Sequence, residues 1–247
     1  MISPAELDDL MHRGWLAVSN VVVDGWIVRL SDGFTQRANS ALPVGSPQNL
    51  IEALERTELM YQDHGLPPAF QISPAAQPAD LDTVLADRGY ELRSPTLVQM
   101  AGVEAVLRQL PDSDVQVVVS EDPDEEWMGL WRSVDGRGGA AAQTVARRLL
   151  TGGPALYALL CDGAGATAVG RIALVDGWGG IYCMAVRPDV RRQGHATAVL
   201  RALLEQASSH GVDRVWLQVG ADNDPARAFY RRAGFTTASA YHYRSLP

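Results

Sequence analysis

The chain has 247 residues, 47% of them hydrophobic and 20% charged, which fits a globular protein with a sizeable core in one large or two small domains. Its 21 basic residues, all arginine, are outnumbered by 29 acidic ones, and a net charge of −8 argues against nucleic acid as a partner. No apolar run approaches the roughly 20 residues that cross a bilayer, so no membrane partner is expected.

The amino-terminal segment MISPAELDDLMHRGW is acidic and lacks the basic and apolar regions of a secretory leader. Cys161 and Cys183 are too few for a disulfide framework, so a cytoplasmic location is expected. In the first half, WIVRLSDGFTQRANS carries three polar candidates, Arg29, Arg37 and Asn39. NSALPVG follows, then an apolar helix ending at His64-Gly65 ahead of a strand, and then DTVLADRGYEL with Gly89-Tyr90. The helix AGVEAVLRQL is broken by LPDSD, residues 110–114, where the junction between halves is expected.

The second half opens with a strand over Val115–Val119, the acidic EDPDEEW and a helix over Trp127–Val134. A further helix is expected over Ala140–Leu150, ended by Gly152, Gly153 and Pro154. LYALLCD, AVGRIALVDG and GIYCMAV read as three strands of a meander. Thr197–His210 reads as a helix closed by Gly211, RVWLQVG as a strand, Pro225–Gly234 as a helix, and TTASAYHYR as a last strand. The order is mixed α/β.

The turn from Arg187 to Gly194 carries the clearest chemistry. A strand ends near Val186 and a helix begins around Gly194–Ala196, so the first helical amides face outward with the positive end of the macrodipole. Gly194 and Ala196 leave room for an anion, and Arg191 and Arg192 add charge, which makes a phosphate cradle. An ordinary basic loop capping a helix would look the same locally. Neither Gly-Lys-Ser/Thr nor GxGxxG is present, so a P-loop and a dinucleotide fingerprint are excluded.

Arg191-Arg192-Gln193-Gly194-His195-Ala196, preceded by Ala185-Val186-Arg187-Pro188, resembles the acetyl-CoA signature of the GNAT acetyltransferase superfamily. Downstream, NDPARAFYRRAGF is similar to that family's second signature at Asn223, Ala226, Phe229, Tyr230, Gly234 and Phe235. The resemblance covers roughly residues 115–244 and implies the GNAT acyl-CoA N-acyltransferase fold, a mixed, mostly antiparallel sheet flanked by helices. It implies acetyl-CoA as cosubstrate and no metal. Met184, Ala185 and Val186 would take the pantetheine arm, and Arg191, Arg192, Gln193, Gly194, His195, Ala196 and Thr197 the pyrophosphate. Asn223 and Tyr230 would lie near the thioester as catalytic residues, with Tyr230 the acid to the leaving thiolate, and both, with Ala226 and Phe229, would also bind the cofactor. A buried structural tyrosine is the plainer reading of Tyr230.

The resemblance is incomplete at one place. Tyr182 stands where many relatives carry a basic glutamate, which leaves Glu125, Glu126 and Asp176 as candidates for the base. Strand alternation turns Cys183 away from Tyr182 and Met184, so a core thiol is expected and direct transfer in a ternary complex is favoured over a ping-pong route.

The halves also resemble each other. His64-Gly65 matches His210-Gly211, and Gly89-Tyr90 matches Gly234-Phe235, which reads as a degenerate tandem repeat. The expected domains are 1–110, a degenerate copy without the phosphate turn, and 115–247, the acetyltransferase. The first copy would wall an acceptor pocket, with Arg29, Arg37 and Asn39 suiting a carboxylate; arginines on an exposed strand face would read the same, and the acidic EDPDEEW would instead attract a cationic amine. The expected function is N-acetyl transfer to a primary amine of a small molecule, by a monomer or homodimer. A non-catalytic acyl-CoA sensor or interaction module is the rival reading.

Overall fold

In the computed structural model, which describes residues 2–136 and 142–246, the chain begins with a helix that belongs spatially to the second half. Helix α1 (Pro4–Gly14) starts at a capping box, in which Ser3 Oγ accepts from the Glu6 amide and the Glu6 carboxylate accepts from the Ser3 amide. Its stripe of Leu7, Leu10 and Met11 is buried, and Trp15 follows it into the same core.

The rest of the first half is β1 (Ser19–Val23), β2 (Trp26–Leu30), β3 (Ala41–Leu42), α2 (Leu50–Asp63), β4 (Ala69–Ile72), α3 (Leu81–Asp87), β5 (Glu91–Gly102) and α4 (Val103–Gln109). Asp24 and Gly25 both take positive φ, 45° and 90°, as the two-residue hairpin between β1 and β2 requires. The second half runs β6 (Val118–Ser120), α5 (Glu125–Asp135), α6 (Ala142–Leu150), β7 (Ala155–Asp162), β8 (Gly165–Val175), β9 (Trp178–Val186), α7 (His195–Ser209), β10 (Arg214–Gly220), α8 (Asp224–Arg232) and β11 (Thr236–Ser245). Among the described residues no helix is long and apolar enough to cross a membrane.

All eleven strands join one sheet in the order β1-β2-β3-β4-β11-β5-β10-β9-β8-β7-β6. The halves exchange their closing strands: β5 lies between β10 and β11, and β11 lies between β4 and β5. Among the described residues only β3–β4 and β9–β10 pair in parallel. Three apolar clusters form. One surrounds Trp26, Tyr61 and Phe70 in the first half, and one lies under α7. The third joins α1, α5 and α6 over the opposite face of the second half's strands.

The expected elements of the second half form with small shifts. The strand expected over Val115–Val119 is confined to Val118–Ser120. The helix expected over Ala140–Leu150 is seen from Ala142, since residues 140 and 141 lie outside the described residues. Residues 101 and 102, expected in a helix, complete β5 and pair with β10.

The internal likeness extends to single bonds. His64 Nδ1 lies 2.8 Å from Met60 O at the end of α2, and His210 Nδ1 lies 2.8 Å from Gln206 O at the end of α7. Gly65 and Gly211 then turn the chain at φ 66° and 82°. Gly89 and Gly234, at φ 86° and 94°, each precede a buried ring, Tyr90 or Phe235.

Asp8, on the inner face of α1, is buried and accepts a hydrogen bond from Ser73 Oγ. Burial pushes its carboxyl up to about 6, against the Ser73 bond and the charge of Arg29, which pull it down. The fold therefore holds this proton more tightly than the unfolded chain. The stability it confers is complete below about pH 4 and lost as pH rises through 6, about 2 to 3 kcal/mol in all. Asp8→Asn should flatten the fall in urea-unfolding free energy between pH 4 and pH 7. A variant that keeps the parental slope would remove Asp8 as its source.

Candidate active site

The parallel pairing of β9 and β10 runs from Trp178 opposite Arg214 to Ile181 opposite Leu217 and then stops. The cause is a bulge in β9. Against β8, Val169 faces Ala185 and Arg171 faces Tyr182, so Cys183 and Met184 together oppose Gly170. Cys183 takes φ 55° there. Gly170 has no room for a side chain, since a Cβ would stand 2.6 Å from Met184 Sδ and 2.8 Å from Val199 Cγ1. Beyond this point the backbone of residues 184–186 loses its β10 partner and faces a gap.

Two cavities open into the gap. The larger, about 1000 Å³, lies between the start of α7 and α8. Every residue nominated for cofactor binding lines it except Gln193. Arg192 (φ 65°) and Gly194 (φ 89°) fold the turn so that α7 begins with no side-chain cap, leaving the amides of His195, Ala196 and Thr197 at an open N-terminus. A Cβ on Gly194 would meet nothing within 4 Å, so no packing demand of the chain requires a glycine there. Its φ and the space it leaves fit a phosphate against the backbone. His195 Nδ1 is buried without a hydrogen-bond partner at the same end. Arg187 is occupied elsewhere, paired with Asp162 and Asp189.

The smaller cavity, about 410 Å³, is lined from both halves. Trp15, Thr35 and Arg37 come from the first half, and Trp131, Tyr182, Cys183 and Gln218 from the second. The two cavities share Val134, Met184, Ala185, Asn223, Ala226 and Tyr230. Tyr230 is 8% exposed, held by the rings of Phe229 and Phe235 at 5.0 and 5.6 Å, and burial raises its phenol pKa well above the ordinary value. Asn223 caps α8, its Oδ1 accepting from the Ala226 amide at 3.2 Å, so its NH₂ group is the part left for a ligand.

Several expectations change. Arg29 is 1% exposed and bonded to Ser40 O, Ser40 Oγ and Gln71 Oε1, so it braces the sheet and does not line the smaller cavity. Asn39 closes its own loop, accepting from the amides of Ser31 and Gly33 and donating to Thr35 O. Of the three, only Arg37 reaches the cavity. Cys183 is partly buried and shares the cavity wall with Tyr182 and Met184, because the bulge breaks the alternation that would have turned it away. Glu125 pairs with Arg147, Asp176 with Arg13, and Glu126 stands beside Cys161, so none of the three lines either cavity.

One wall of the smaller cavity was not foreseen. The Arg37 and Arg171 guanidinium carbons each lie 5.5 Å from the Tyr182 ring centroid and 5.6 Å from that of Trp15. Arg171 is fully buried and donates to Leu150 O and Gly14 O, tying the end of α1 to the second half. Trp15 and Trp131 carry no signal in the sequence beyond their size.

A family model described as "Probable histone acetyltransferase Rv0428c C-terminal" matches residues 6–244. The chain belongs to the GNAT N-acetyltransferase family. A Bacillus subtilis (strain 168) protein called "Uncharacterized N-acetyltransferase YobR" is 30% identical over 246 residues, 97% of each chain. The fold is that of a GCN5-related N-acetyltransferase from Kribbella flavida, with TM-score 0.74 at 18% identity, covering 100% of this chain and 96% of that one. It is also similar to a tandem GNAT protein from the clavulanic acid biosynthesis pathway, with TM-score 0.63 at 15% identity, over 79% of this chain and 69% of that one. The GNAT chain is thus an acetyltransferase with the expected α/β architecture.

The Arg171 tie makes a stability prediction. Arg171→Leu leaves Gly14 O buried without its donor, whereas Leu150 O keeps Tyr157 Oη at 2.6 Å. A loss of about 1–3 kcal/mol is expected in urea unfolding. Parental stability would show that the guanidinium does not hold α1 in place.

Proposed function

We propose that this enzyme moves an acetyl group from acetyl-CoA to the primary amine of a small molecule, by direct transfer in a ternary complex. The observation that carries the reading is that two cavities of different chemistry meet at Met184, Asn223 and Tyr230. The larger has an open helix N-terminus, three arginines (Arg191, Arg192 and Arg232) and a glycine whose missing side chain leaves space for a phosphate. The smaller is enclosed by aromatic rings and suits an acceptor.

Acetyl-CoA supplies the activated acyl group. The chain's residues do the rest. The backbone of residues 184–186, freed from β10 by the bulge, offers hydrogen bonds to the pantetheine arm. Burial keeps the Tyr230 hydroxyl protonated at neutral pH, so it can give that proton to the departing sulfur. As the amine nitrogen bonds to the carbonyl carbon and the carbon–sulfur bond breaks, the proton lost by nitrogen returns through water to Tyr230. The net transfer is one proton from nitrogen to sulfur. Among the described residues no carboxylate or imidazole lines the acceptor cavity, which supports water in place of a side-chain base. Residues 115–247 carry this chemistry, and residues 1–110 are read as the degenerate copy that walls the acceptor.

Two outcomes test the reading. Tyr230→Phe should bind acetyl-CoA as the parent does and slow thiol release at least about tenfold. An unchanged turnover number would remove Tyr230 as the acid. Gly194→Glu puts a carboxylate into the open turn and should cost at least about 100-fold in acetyl-CoA affinity by calorimetry, through repulsion and a side chain forced to φ 89°. Parental affinity in that variant would move the phosphate site elsewhere.

A further inference from the structure

The acceptor cavity carries a charge that no carboxylate among the described residues neutralises. Arg37 is the charged residue in its wall, and its Nε is buried with no hydrogen-bond partner. Its surroundings are rings and other cations. Trp15 and Tyr182 lie against the guanidinium, the phenol of Tyr241 hydrogen-bonds to it, and that of Tyr243 is close enough to act on its charge. Arg171 stands by the same two rings, and the charge of Arg29 is also felt at this depth. Arg29 and Arg171 are bonded to carbonyl, hydroxyl and amide oxygens, and among the described residues no carboxylate pairs with any of the three. Asp8 feels Arg29, but it is bonded to Ser73 and lines a separate cavity.

Three guanidinium groups without a counter-ion are costly in a partly dry interior. They are the more unexpected in a chain with 29 acidic residues and a net charge of −8. Gln218, on the wall of the same cavity, adds a complementary group. Its Nε2 is held by Tyr241 Oη at 3.2 Å and Met11 Sδ at 3.1 Å, which leaves its Oε1 buried without a donor. The wall therefore offers a cationic donor atom, Arg37 Nε, and a neutral acceptor atom, Gln218 Oε1, neither with a hydrogen-bond partner.

Resting on the acetyltransferase reading above, we infer that the acceptor is a small amine bearing a carboxylate, an amino acid in the broad sense, whose carboxylate is held by Arg37. The guanidinium supplies the charge-assisted bonds, and Gln218 Oε1 accepts from the acceptor's N–H groups. Arg37 is a specificity residue on the first half's loop, which gives that half a chemical task in a reaction it does not perform. A cationic polyamine or an aminoglycoside would bring like charge to this wall.

The test is thiol release from acetyl-CoA with the standard amino acids, set beside their carboxamides and their decarboxylated amines, and with short peptides free at the amino end. The intact chain should prefer a carboxylate-bearing acceptor over its carboxamide by about 100-fold in kcat/KM. Arg37→Gln should raise the KM for that acceptor by at least about 30-fold with kcat much less affected, and Arg37→Lys should recover part of the loss. The affinity for acetyl-CoA, measured by calorimetry, should stay within about twofold in both variants, which shows that they fold. Turnover confined to amines without a carboxylate, better turnover of peptides than of free amino acids, or an acceptor KM that Arg37→Gln does not move would overturn the inference. Each of those results leaves the acetyltransferase reading standing. Failure of the intact chain to bind acetyl-CoA, or thiol release with no acceptor at all, would overturn both.

Discussion

The site depends on the point where β9 and β10 part. Parallel strands normally continue until a loop ends them, but here pairing stops at Ile181 and Leu217 while both strands still have residues to run. The bulge at Cys183–Met184 turns β9 away, and Gly170 on β8 makes the bulge possible by leaving the space that Met184 fills. A residue with a side chain at 170 would press on Met184 and Val199 together. Without the gap, residues 184–186 would be bonded to β10, and the two cavities would be separated by an unbroken sheet.

The rest of the architecture surrounds that gap. On one side, α7 presents its N-terminus and α8 presents Tyr230 from a packed triplet of rings. On the other side, the closing wall comes from the first half, through Trp15 after α1 and Thr35 and Arg37 in the loop after β2. The exchange of β5 and β11 makes this shared wall rigid. Each half's closing strand is bonded on both edges to strands of the other half, so the halves meet through a continuous ladder of backbone hydrogen bonds. The first half thus closes one of the two cavities, while the residues the cavities share all come from the second half.

Much of this was legible in local spacing. The cradle at Arg191–Thr197 and the Asn223–Phe235 motif depend on residues close together in the chain, and the lining of the larger cavity follows them with Gln193 as the exception. The helix ends at Gly211 and Gly234 were readable because left-handed φ favours glycine. Other features were not local. The strand exchange pairs residues more than 100 positions apart, and hydrophobic alternation in β5 and β11 says that each is a strand but not which partner it takes. Arg29, Arg37 and Asn39 looked alike in sequence. Arg29 faces the sheet interior, Asn39 folds back on its loop, and Arg37 meets the cavity, a difference set by the bend after β2. The bulge at Cys183 hides for the same reason, since strict alternation is the default and one extra residue reverses it.

The interleaved closing strands also order events during synthesis. Residues 91–102 leave the ribosome long before 214–220 and 236–245, the strands that flank them. Until those arrive, β5 has two unsatisfied edges, and β4 has one edge without the strand that will lie beside it. Contacts this distant in sequence carry a high loop-closure cost and form late. The first half therefore cannot finish its sheet as it emerges, and the two halves reach their final packing together. A cut at the junction would leave each half's closing strand without either of the strands that flank it, so the two halves form a single folding unit.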